Sequence, residues 1–196
     1  MAATLLQMAG ADPTPPRLAE AALIVIDAQR EYLDGALPLV GVAPALERIA
    51  ALLAAARSLG TPIIHVQHRG RPGGLFDPGK VAFEIAAQAA PSPGEEVVCK
   101  GLPNSFAGTR LKDVLDATDR KRLVLVGFMT HMCVSSTARA ALDLGYQTTV
   151  VADACATRDL PRPGGGIVAA ADLHIAELAA LADRFAIVCD AAALNG

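Results

Sequence analysis

Short apolar runs alternate along this chain with longer stretches in which apolar residues recur at helical spacing. The short runs are rich in β-branched and other apolar residues, as expected for strands buried on both faces of a parallel sheet. They are ALIVID (22–27), PIIHVQ (62–67), EVVCK (96–100), RLVLVGF (122–128), QTTVVAD (147–153) and FAIVCD (185–190). This alternation predicts repeated βαβ units, and therefore an α/β fold with helices on both faces of one six-stranded sheet.

Two of the intervening stretches carry clear helix stops. APALERIAALLAAARSLG (43–60) ends in Gly60, and SSTARAALDLG (135–145) ends in Gly145. Glycine commonly terminates a helix because it adopts the left-handed conformation at little steric cost. A third stretch, VAAADLHIAELAALA (168–182), also has helical apolar spacing. This spacing favours His174 as a core or interface histidine.

The chain reads as a lead-in, residues 1–19, followed by one domain, residues 20–196. Prolines in the lead-in predict an extended conformation. Residues 69–95 form a long segment, rich in Pro and Gly, without a strand or helix pattern. Loops of this length in a compact domain are usually functional. The sequence leaves open whether this segment is a lid over a site or an arm exchanged between subunits.

Composition narrows the possible partners. With 53% hydrophobic residues and a mean hydropathy of +0.39, the chain predicts a large core and subunit interfaces, hence a homo-oligomer. The net charge is -3 and the 17 Lys and Arg residues are dispersed, which argues against nucleic acid or an anionic membrane as a partner. No apolar stretch reaches the roughly 20 residues of a membrane span, and the first residues lack a signal-peptide pattern. We therefore expect a cytoplasmic protein that binds a small molecule.

The four cysteines form no CxxC pair, so neither a disulfide framework nor a structural zinc site is expected. Cys133 differs from the others because it lies between an apolar run and the start of a predicted helix. A helix N-terminus lowers the pKa of a thiol, which makes Cys133 the candidate nucleophile. Cys99 and Cys189 lie inside predicted strands and should be shielded. Cys155, where a strand ends, is an uncertain competitor.

Ligands of open parallel sheets bind outside the carboxyl ends of the strands. Asp27 closes the first predicted strand, Lys100 closes the third, and Cys133 follows the fourth. Taken singly, each has an ordinary explanation as a cap, a solvated cation or a small core residue. Together they predict a site in which Lys100 further lowers the pKa of Cys133 and Asp27 transfers protons.

Phosphate binding is the competing interpretation of such a sheet. The turn after the first strand reads DAQREYLDG (27–35) and has no GxGxxG motif. RPGGGIVAA (162–170) is rich in glycine but lies too late in the chain to be a dinucleotide fingerprint. We therefore expect no cofactor.

Three segments closely resemble the isochorismatase-like cysteine hydrolases, the superfamily that includes nicotinamidases, N-carbamoylsarcosine amidohydrolase and isochorismatase. They are ALIVIDAQREY (22–32), VVCKGLPNSFAGTRL (97–111) and LVLVGFMTHMCVSSTARAALDLGYQTTVVADACATRD (123–159). The resemblance implies a three-layer α/β/α, Rossmann-like fold with a six-stranded parallel sheet, and a triad of Asp27, Lys100 and Cys133. It also implies a cis peptide bond between Phe128 and Met129, and an oxyanion hole formed by the amides of Met129 and Cys133.

Departures from the family pattern bear on the metal and the substrate. Nicotinamidases carry a metal site with an Asp-x-His after the second strand, where this chain reads HVQHRGRPGG (65–74). His65 and His68 are three apart on a strand and therefore point to opposite faces. We predict no metal site, and either a structural role or a substrate contact for His68. Nicotinamidase activity is disfavoured accordingly.

Further residues near the triad positions are candidates for a substrate pocket. Gln29, Tyr32, Phe106 and Phe128 flank those positions, although Tyr32 and Phe106 are equally explained as core aromatics. His131 precedes the candidate nucleophile by two residues, where many relatives have Asp. It is expected either to orient the substrate or to cap the turn.

The sequence thus predicts a metal-independent cysteine hydrolase that cleaves a C–N bond of a small amide-like substrate through a thioester. One alternative is the isochorismatase-type hydrolysis of a vinyl ether. Another is a catalytically idle member that serves in binding or assembly, against which the complete triad argues. Nothing in the sequence identifies the substrate.

Overall fold

The structure, a computed structural model that describes residues 2–194, contains the six predicted strands and one short additional hairpin. The strands are β1 (Ala22–Ile26), β2 (Ile63–His68), β3 (Glu96–Lys100), β4 (Arg122–Phe128), β5 (Gln147–Ala156), β6 (Leu160–Pro161), β7 (Ile167–Val168) and β8 (Ile187–Cys189). The sheet has the order β3-β2-β1-β4-β5-β8, and every neighbouring pair in it is parallel. Strands β6 and β7 pair antiparallel outside this sheet.

Helices cover both faces of the sheet. They are α1 (Leu5–Met8), α2 (Val42–Leu59), α3 (Leu111–Asp116), α4 (Ser135–Asp143) and α5 (Ala170–Arg184). Side chains of α2 join the core on one face, and side chains of α3, α4 and α5 join the core on the other. The result is a three-layer α/β/α fold, which confirms the predicted fold class.

The central strand β1 contributes to both cores. Leu23 and Val25 pack into the core on the α2 face, whereas Ile24 and Ile26 pack into the core on the opposite face. Successive side chains of a strand alternate between faces, so a strand covered on both sides must be apolar at every position. This burial explains why ALIVI reads as an uninterrupted apolar run.

The strand order reverses between β1 and β4. From β1 the chain builds outward through β2 and β3, and then returns to add β4, β5 and β8 on the other side of β1. The connections after β1 and β4 therefore diverge and leave a crevice at the carboxyl ends of these two strands. Asp27 and Cys133 both follow strands that border this crevice.

The lead-in is not wholly extended, because it contains α1. Thr4 caps this short helix together with Gln7, and the Leu5 N–H donates to Asp183 Oδ1 on α5 at 2.8 Å. The predicted domain begins after this lead-in, and its last two residues lie outside the described residues. Among residues 2–194, no helix is long and apolar enough to span a bilayer.

The glycine-rich stretch 162–170 forms the turn of the β6–β7 hairpin and leads into α5. The Arg162 N–H donates to Gly166 O at 3.0 Å, closing the turn. Asp159 Oδ1 accepts the Ala170 N–H at 2.8 Å, at the first residue of α5. Contacts within the chain thus account for this motif.

The segment 69–95 packs against its own domain. It has short 3₁₀ turns at Val81–Phe83 and Ala87–Ala89. The Arg30 N–H donates to Glu84 O at 2.9 Å, and Arg57 Nη2 donates to Ala90 O at 2.9 Å. These bonds fix the segment to the turn after β1 and to α2, so it forms a wall of the domain.

Candidate active site

Asp27 follows the last residue of β1 and turns the chain at the carboxyl edge of the sheet. Its backbone has φ +49°, in the left-handed region that Asp tolerates better than most non-glycine residues. Its amide donates to Val66 O at 2.9 Å, and its carbonyl accepts the Gln29 N–H at 2.7 Å. These bonds fix the turn, and the carboxylate is fully buried in the crevice.

Lys100 reaches the same crevice from β3, two strands away. Strand β2 lies between β3 and β1, so the two strands are about 10 Å apart across the sheet. A long side chain can cover this distance, and Nζ of Lys100 lies 2.7 Å from Asp27 Oδ2 and 3.2 Å from Cys133 Sγ. Both charged side chains are fully buried. The three residues of the predicted triad are thus brought together.

Cys133 lies in a single π-helical turn, Thr130–Val134, that joins β4 to α4. Cys133 was predicted to stand at the N-terminus of a helix. It lies instead within this π-helical turn, and α4 begins two residues later. The peptide bond between Phe128 and Met129 is cis, as the family resemblance implied. Gly127 precedes it with φ +114°, and a Cβ there would lie 2.0 Å from a carbonyl oxygen of β1.

Two threonine–histidine pairs hold this turn against β5 and α5. Thr130 Oγ1 donates to Ala156 O at 3.1 Å and lies 2.9 Å from His174 Nδ1. His131 Nδ1 lies 2.5 Å from Thr157 Oγ1. His131 therefore braces the turn, which is one of the two roles that the sequence left open. His174 is half-buried between α5 and the turn, in line with its prediction.

Burial controls the ionisation of the triad. Burial, followed by the Asp27 carboxylate, raises the pKa of the Cys133 thiol to about 12, because together they outweigh Lys100. Burial also raises the pKa of Asp27 against the opposing effect of Lys100. The predicted depression of the Cys133 pKa is therefore wrong, since losing the thiol proton to water would leave two buried anions against one cation. Transfer of that proton to Asp27 instead keeps one anion and one cation.

Tyr32 and Phe128 form a buried aromatic wall beside the triad. The Tyr32 ring meets the rings of Phe76 and Phe128 edge-to-face, with centroids 5.1 and 5.9 Å apart. Burial raises the pKa of the Tyr32 phenol, and the nearby Asp27 and Cys133 raise it further. The structure thus places the Tyr32 ring close to the Asp27 carboxyl group and the Cys133 thiol.

Phe76 belongs to this wall but is missed by the sequence reasoning. Its φ is +54°, its N–H donates to Glu31 Oε2 at 3.0 Å, and its carbonyl accepts the Gly70 N–H at 2.9 Å. Glu31 is buried and also accepts the Ala36 N–H at 2.8 Å. The sequence gives no signal for this contact, because Glu31 stands among other polar residues in DAQREYLDG (27–35) and its burial cannot be read from that pattern.

Gln29 is buried, and the NH2 group and the oxygen of its side-chain amide both bond to the backbone. Its Nε2 donates to His68 O at 3.0 Å and to Phe83 O at 2.8 Å, and its Oε1 accepts the His68 N–H at 2.8 Å. These bonds fasten the end of β2 and the 69–95 segment to the turn after β1. The expectation that Gln29 lines the substrate pocket is corrected accordingly. Its side-chain amide positions the neighbouring backbone, and both the nitrogen and the oxygen of that amide are bonded within the protein.

Phe106 is not brought to the triad. Its ring stacks on Tyr146 with centroids 5.9 Å apart, and it packs against the core on the face of α3 and α4. Tyr146 immediately precedes β5, at the amino edge of the sheet. The expectation of a pocket-lining Phe106 is corrected to the alternative, a core aromatic.

His65 and His68 face opposite sides of β2, as their spacing predicted. His68 Nδ1 lies 3.1 Å from Lys100 Nζ, whereas His65 Nε2 lies 2.8 Å from Glu95 Oε2. Burial, with a contribution from Lys100, lowers the pKa of His68 to about 4. Over residues 2–194, no three His, Cys, Asp or Glu side chains are grouped so as to hold a metal ion.

Arg158 follows β5 at the triad edge of the sheet and is also missed by the sequence reasoning. Within the described residues its Nε is buried without a hydrogen-bond partner, and its Nη1 donates to Asp159 O at 3.4 Å. Burial, and then the Arg158 charge, lowers the pKa of His131. The signal in the sequence is an arginine at a strand end, in ATRD (156–159). A guanidinium with an unused N–H can bind an anionic group.

The remaining cysteines differ from expectation in one respect. Cys99 is exposed on the edge strand β3 rather than shielded. Burial raises the pKa of Cys155 to about 12 and that of Cys189 to about 11. We therefore expect Cys99, and not Cys155, to compete for thiol reagents.

A cleft of about 860 Å³ opens at the opposite edge of the sheet, near the starts of β2 and β3. Arg57 and Arg110 line it, and they pair with Glu95 at 2.8 Å and Glu96 at 2.6 Å. Its lining includes no cysteine or histidine. The candidate nucleophile thus lies at the other edge of the sheet, in the crevice.

Comparison with known proteins agrees with this fold. The chain is similar to an isochorismatase of Pseudomonas putida of known structure, with a TM-score of 0.95 and 45% identity over 99% of this chain and 100% of that one. A secreted isochorismatase effector of Verticillium dahliae is 37% identical over 96% of this chain and 97% of that protein. Because that relative is secreted, the cytoplasmic expectation stays a prediction. A streptothricin hydrolase of Streptomyces noursei is 38% identical over 88% of this chain and 63% of that protein.

Amide-cleaving enzymes occur among the more distant relatives. A maleamate amidohydrolase of Pseudomonas putida is 31% identical over 70% of this chain and 72% of that enzyme. The family model for the isochorismatase domain matches residues 21–193, which include all three triad residues. On this match, and on its close likeness to the relatives above, the chain belongs to the isochorismatase family of hydrolases.

Proposed function

We propose that this chain is a cysteine hydrolase that cleaves the C–N bond of a small amide through a thioester. The observation that carries the proposal is the position of Lys100 Nζ, 2.7 Å from Asp27 Oδ2 and 3.2 Å from Cys133 Sγ. Removing two charges from water costs several kcal/mol each, so a thiol that merely fills space has no need of a buried ion pair beside it. An ammonium at these distances stabilises the thiolate that forms as a proton leaves Cys133.

The chemistry follows from the triad. Cys133 Sγ bonds to the carbonyl carbon while its proton passes to Asp27. The oxyanion that forms accepts hydrogen bonds from the backbone N–H groups of Met129 and Cys133. Asp27 then returns the proton to the leaving nitrogen as the C–N bond breaks, which leaves a thioester. Water attacks the thioester, Asp27 takes a proton from it, and the sulfur leaves and recovers that proton. The products are an amine or ammonia and a carboxylic acid.

The substrate class is a small amide that also carries an anionic group. Arg158 supports this choice, because its buried Nε is unused within the described residues and lies near the triad edge. The relative that acts on maleamate, an amide with a carboxylate, gives separate support. We expect Arg158→Met to raise KM for maleamate much more than for the uncharged amide nicotinamide.

Turnover requires no added metal in this proposal. The support is that HVQHRGRPGG (65–74) lacks the Asp-x-His pattern, and that no three His, Cys, Asp or Glu side chains among residues 2–194 are grouped as metal ligands. Activity should survive dialysis against a chelator. Loss of turnover that zinc, iron or manganese restores would contradict metal independence.

The decisive experiment is a substrate panel of maleamate, ureidoacrylate, nicotinamide and isochorismate, assayed with wild type and with Cys133→Ala. We expect turnover of a carboxylated amide, and its loss by about a million-fold in the variant, as for other covalent nucleophiles. Turnover of isochorismate alone would favour the vinyl-ether alternative. Silence on the whole panel would favour the binding or assembly alternative, and an active Cys133→Ala protein would exclude the thioester.

We also propose that the chain self-associates. Apart from the apolar composition, Ile167 and Ile175 support this, because they are 70% and 66% exposed near the start of α5. Closed symmetry is the usual result of such association. Light scattering that gives the monomer mass of 20.1 kDa would contradict it.

A further inference from the structure

His68 stands beside the triad in a position that determines where its proton lies. It pairs in register with Lys100 across β2 and β3, so both side chains leave the sheet on the same face. Its Nδ1 lies 3.1 Å from Lys100 Nζ. Because an ammonium group has only donors, Nδ1 must be the acceptor in this contact.

The tautomer of His68 follows from that contact. A nitrogen that accepts a hydrogen bond carries no proton, so the neutral ring holds its proton on Nε2. Burial and Lys100 lower the pKa of His68 to about 4, which keeps the ring neutral near pH 7. The ring of Phe76 holds His68 edge-on, with centroids 5.0 Å apart.

Lys100 has no further donor for a substrate. Its three N–H groups have three partners, namely Asp27 at 2.7 Å, His68 at 3.1 Å and Cys133 at 3.2 Å. His68 as a whole is half-buried, and its Nδ1 side faces the buried Lys100. The Nε2 side is therefore the part of the ring that reaches accessible space. A substrate oxygen near the triad would meet this N–H rather than the ammonium.

We propose that His68 presents its Nε2–H as a neutral hydrogen-bond donor to a substrate oxygen beside the scissile amide. The inference rests on the proposed cysteine hydrolase function and narrows its substrates to amides with a second acceptor oxygen, such as a carbonyl, carboxylate or ureido group. His68 is then a binding residue whose proton the triad lysine holds in place.

The first test needs no substrate. Two-bond ¹⁵N–¹H spectra of the imidazole rings distinguish the tautomers of the four histidines in histidine-labelled protein. We expect His68, assigned from the signals that His68→Gln removes, to be unprotonated at Nδ1 and protonated at Nε2 at pH 7. In Lys100→Met the ring should become a mixture of tautomers. A wild-type ring protonated at Nδ1 would overturn the proposal.

The second test uses a matched set of variants, assayed on the panel compound that the wild type turns over fastest. Gln places an N–H near the position of Nε2, whereas Asn places an acceptor near the position of Nδ1. We expect kcat/KM to fall on the order of 10-fold in His68→Phe and His68→Asn, mainly through KM, and to stay within about threefold in His68→Gln.

The reverse pattern would overturn the proposal: a kcat/KM close to wild type in His68→Asn, and a kcat/KM in His68→Gln as low as in His68→Phe. His68 would then act only as an acceptor for Lys100. Melting temperatures of all variants check the fold. A wild type that turns over none of the panel contradicts the proposed function itself, and the ¹⁵N spectrum still decides the position of the His68 proton.

Discussion

Strand β2 carries two histidines three residues apart, and they belong to two different kinds of polar site. On one face, His65 donates to Glu95, which also accepts two bonds from Arg57 and one from the Ser92 N–H. Every oxygen of this carboxylate is bonded within the protein. The site joins the start of β3 to α2 and stabilises the fold.

On the other face, His68 accepts a hydrogen bond from Lys100, whose ammonium group also contacts Asp27 and Cys133. Here the buried Asp27 carboxylate has Lys100 Nζ 2.7 Å from Oδ2, and the Cys133 thiol is a further hydrogen-bond donor to it. A carboxylate that accepts a hydrogen bond from a thiol lies where it can take the proton of that thiol. Such an arrangement suits proton transfer.

The pKa values of Glu95 and Asp27 shift in opposite directions. Although burial opposes it, hydrogen bonds from Arg57, Ser92 and His65 lower the pKa of Glu95 to about 2. Burial dominates at Asp27 and raises its pKa despite Lys100. A carboxyl group whose pKa is lowered by its hydrogen bonds stays ionised and stabilises the fold, whereas one whose pKa is raised by burial can take and return a proton.

The largest expected effect comes from breaking the buried ion pair. Asp27→Asn and Lys100→Met should each abolish turnover, by about 10⁴-fold or more. Each should also lower the free energy of unfolding by about 3–5 kcal/mol, because one buried charge loses its partner. The double variant should regain most of that stability but no activity. Urea unfolding and kcat measure this, and a double variant as unstable as the sum of the singles would contradict it.

At the other site, Glu95→Gln should lower the free energy of unfolding by about 1–2 kcal/mol at pH 7 and leave kcat nearly unchanged. The folded pKa of Glu95 is about 2, below its ordinary 4.5, so its contribution is complete above pH 4.5 and is lost as the pH falls towards 2. The difference from wild type should therefore shrink between urea titrations at pH 7 and pH 3. An equal difference at both pH values would refute this origin.

Glu96→Gln is the matched control for that prediction. The Glu96 side chain is 49% exposed and pairs with the Arg110 side chain, which is 53% exposed. Exposed pairs contribute about 0–1 kcal/mol, so this variant should be nearly as stable as wild type at both pH values.

The smallest expected effect concerns two neighbouring residues of β3, Cys99 and Lys100, of which one is exposed and the other is buried in the triad. Iodoacetamide at pH 6 should label Cys99 first, without loss of activity. In a Cys99→Ser protein, labelling of Cys133 and inactivation should be slow at pH 6 and faster at pH 9, because the Cys133 pKa is about 12. Peptide mapping that finds Cys133 labelled first at pH 6 would contradict the raised pKa.

Local patterns in the sequence determine much of this protein. Strands buried on both faces must be apolar at nearly every position, so the runs that became the central strands β1 and β4 can be read directly, with ends shifted by at most one residue. Parallel strands present their carboxyl ends at one edge, so Asp27, Lys100 and Cys133 could be assigned to one site before their contacts were known. The family resemblance added the cis bond at Phe128.

Contacts between distant segments decided the rest. Phe76 packs on Tyr32 because the buried Glu31 accepts a hydrogen bond from the Phe76 amide in the 69–95 segment. Gln29 has a structural role because its side-chain amide bonds to the backbone of that same segment. The thiol pKa also belongs here: the sequence shows that Lys100 can approach Cys133, but it does not show how deeply both are buried. Desolvation depends on every segment that covers a group, and only the tertiary structure determines which segments those are.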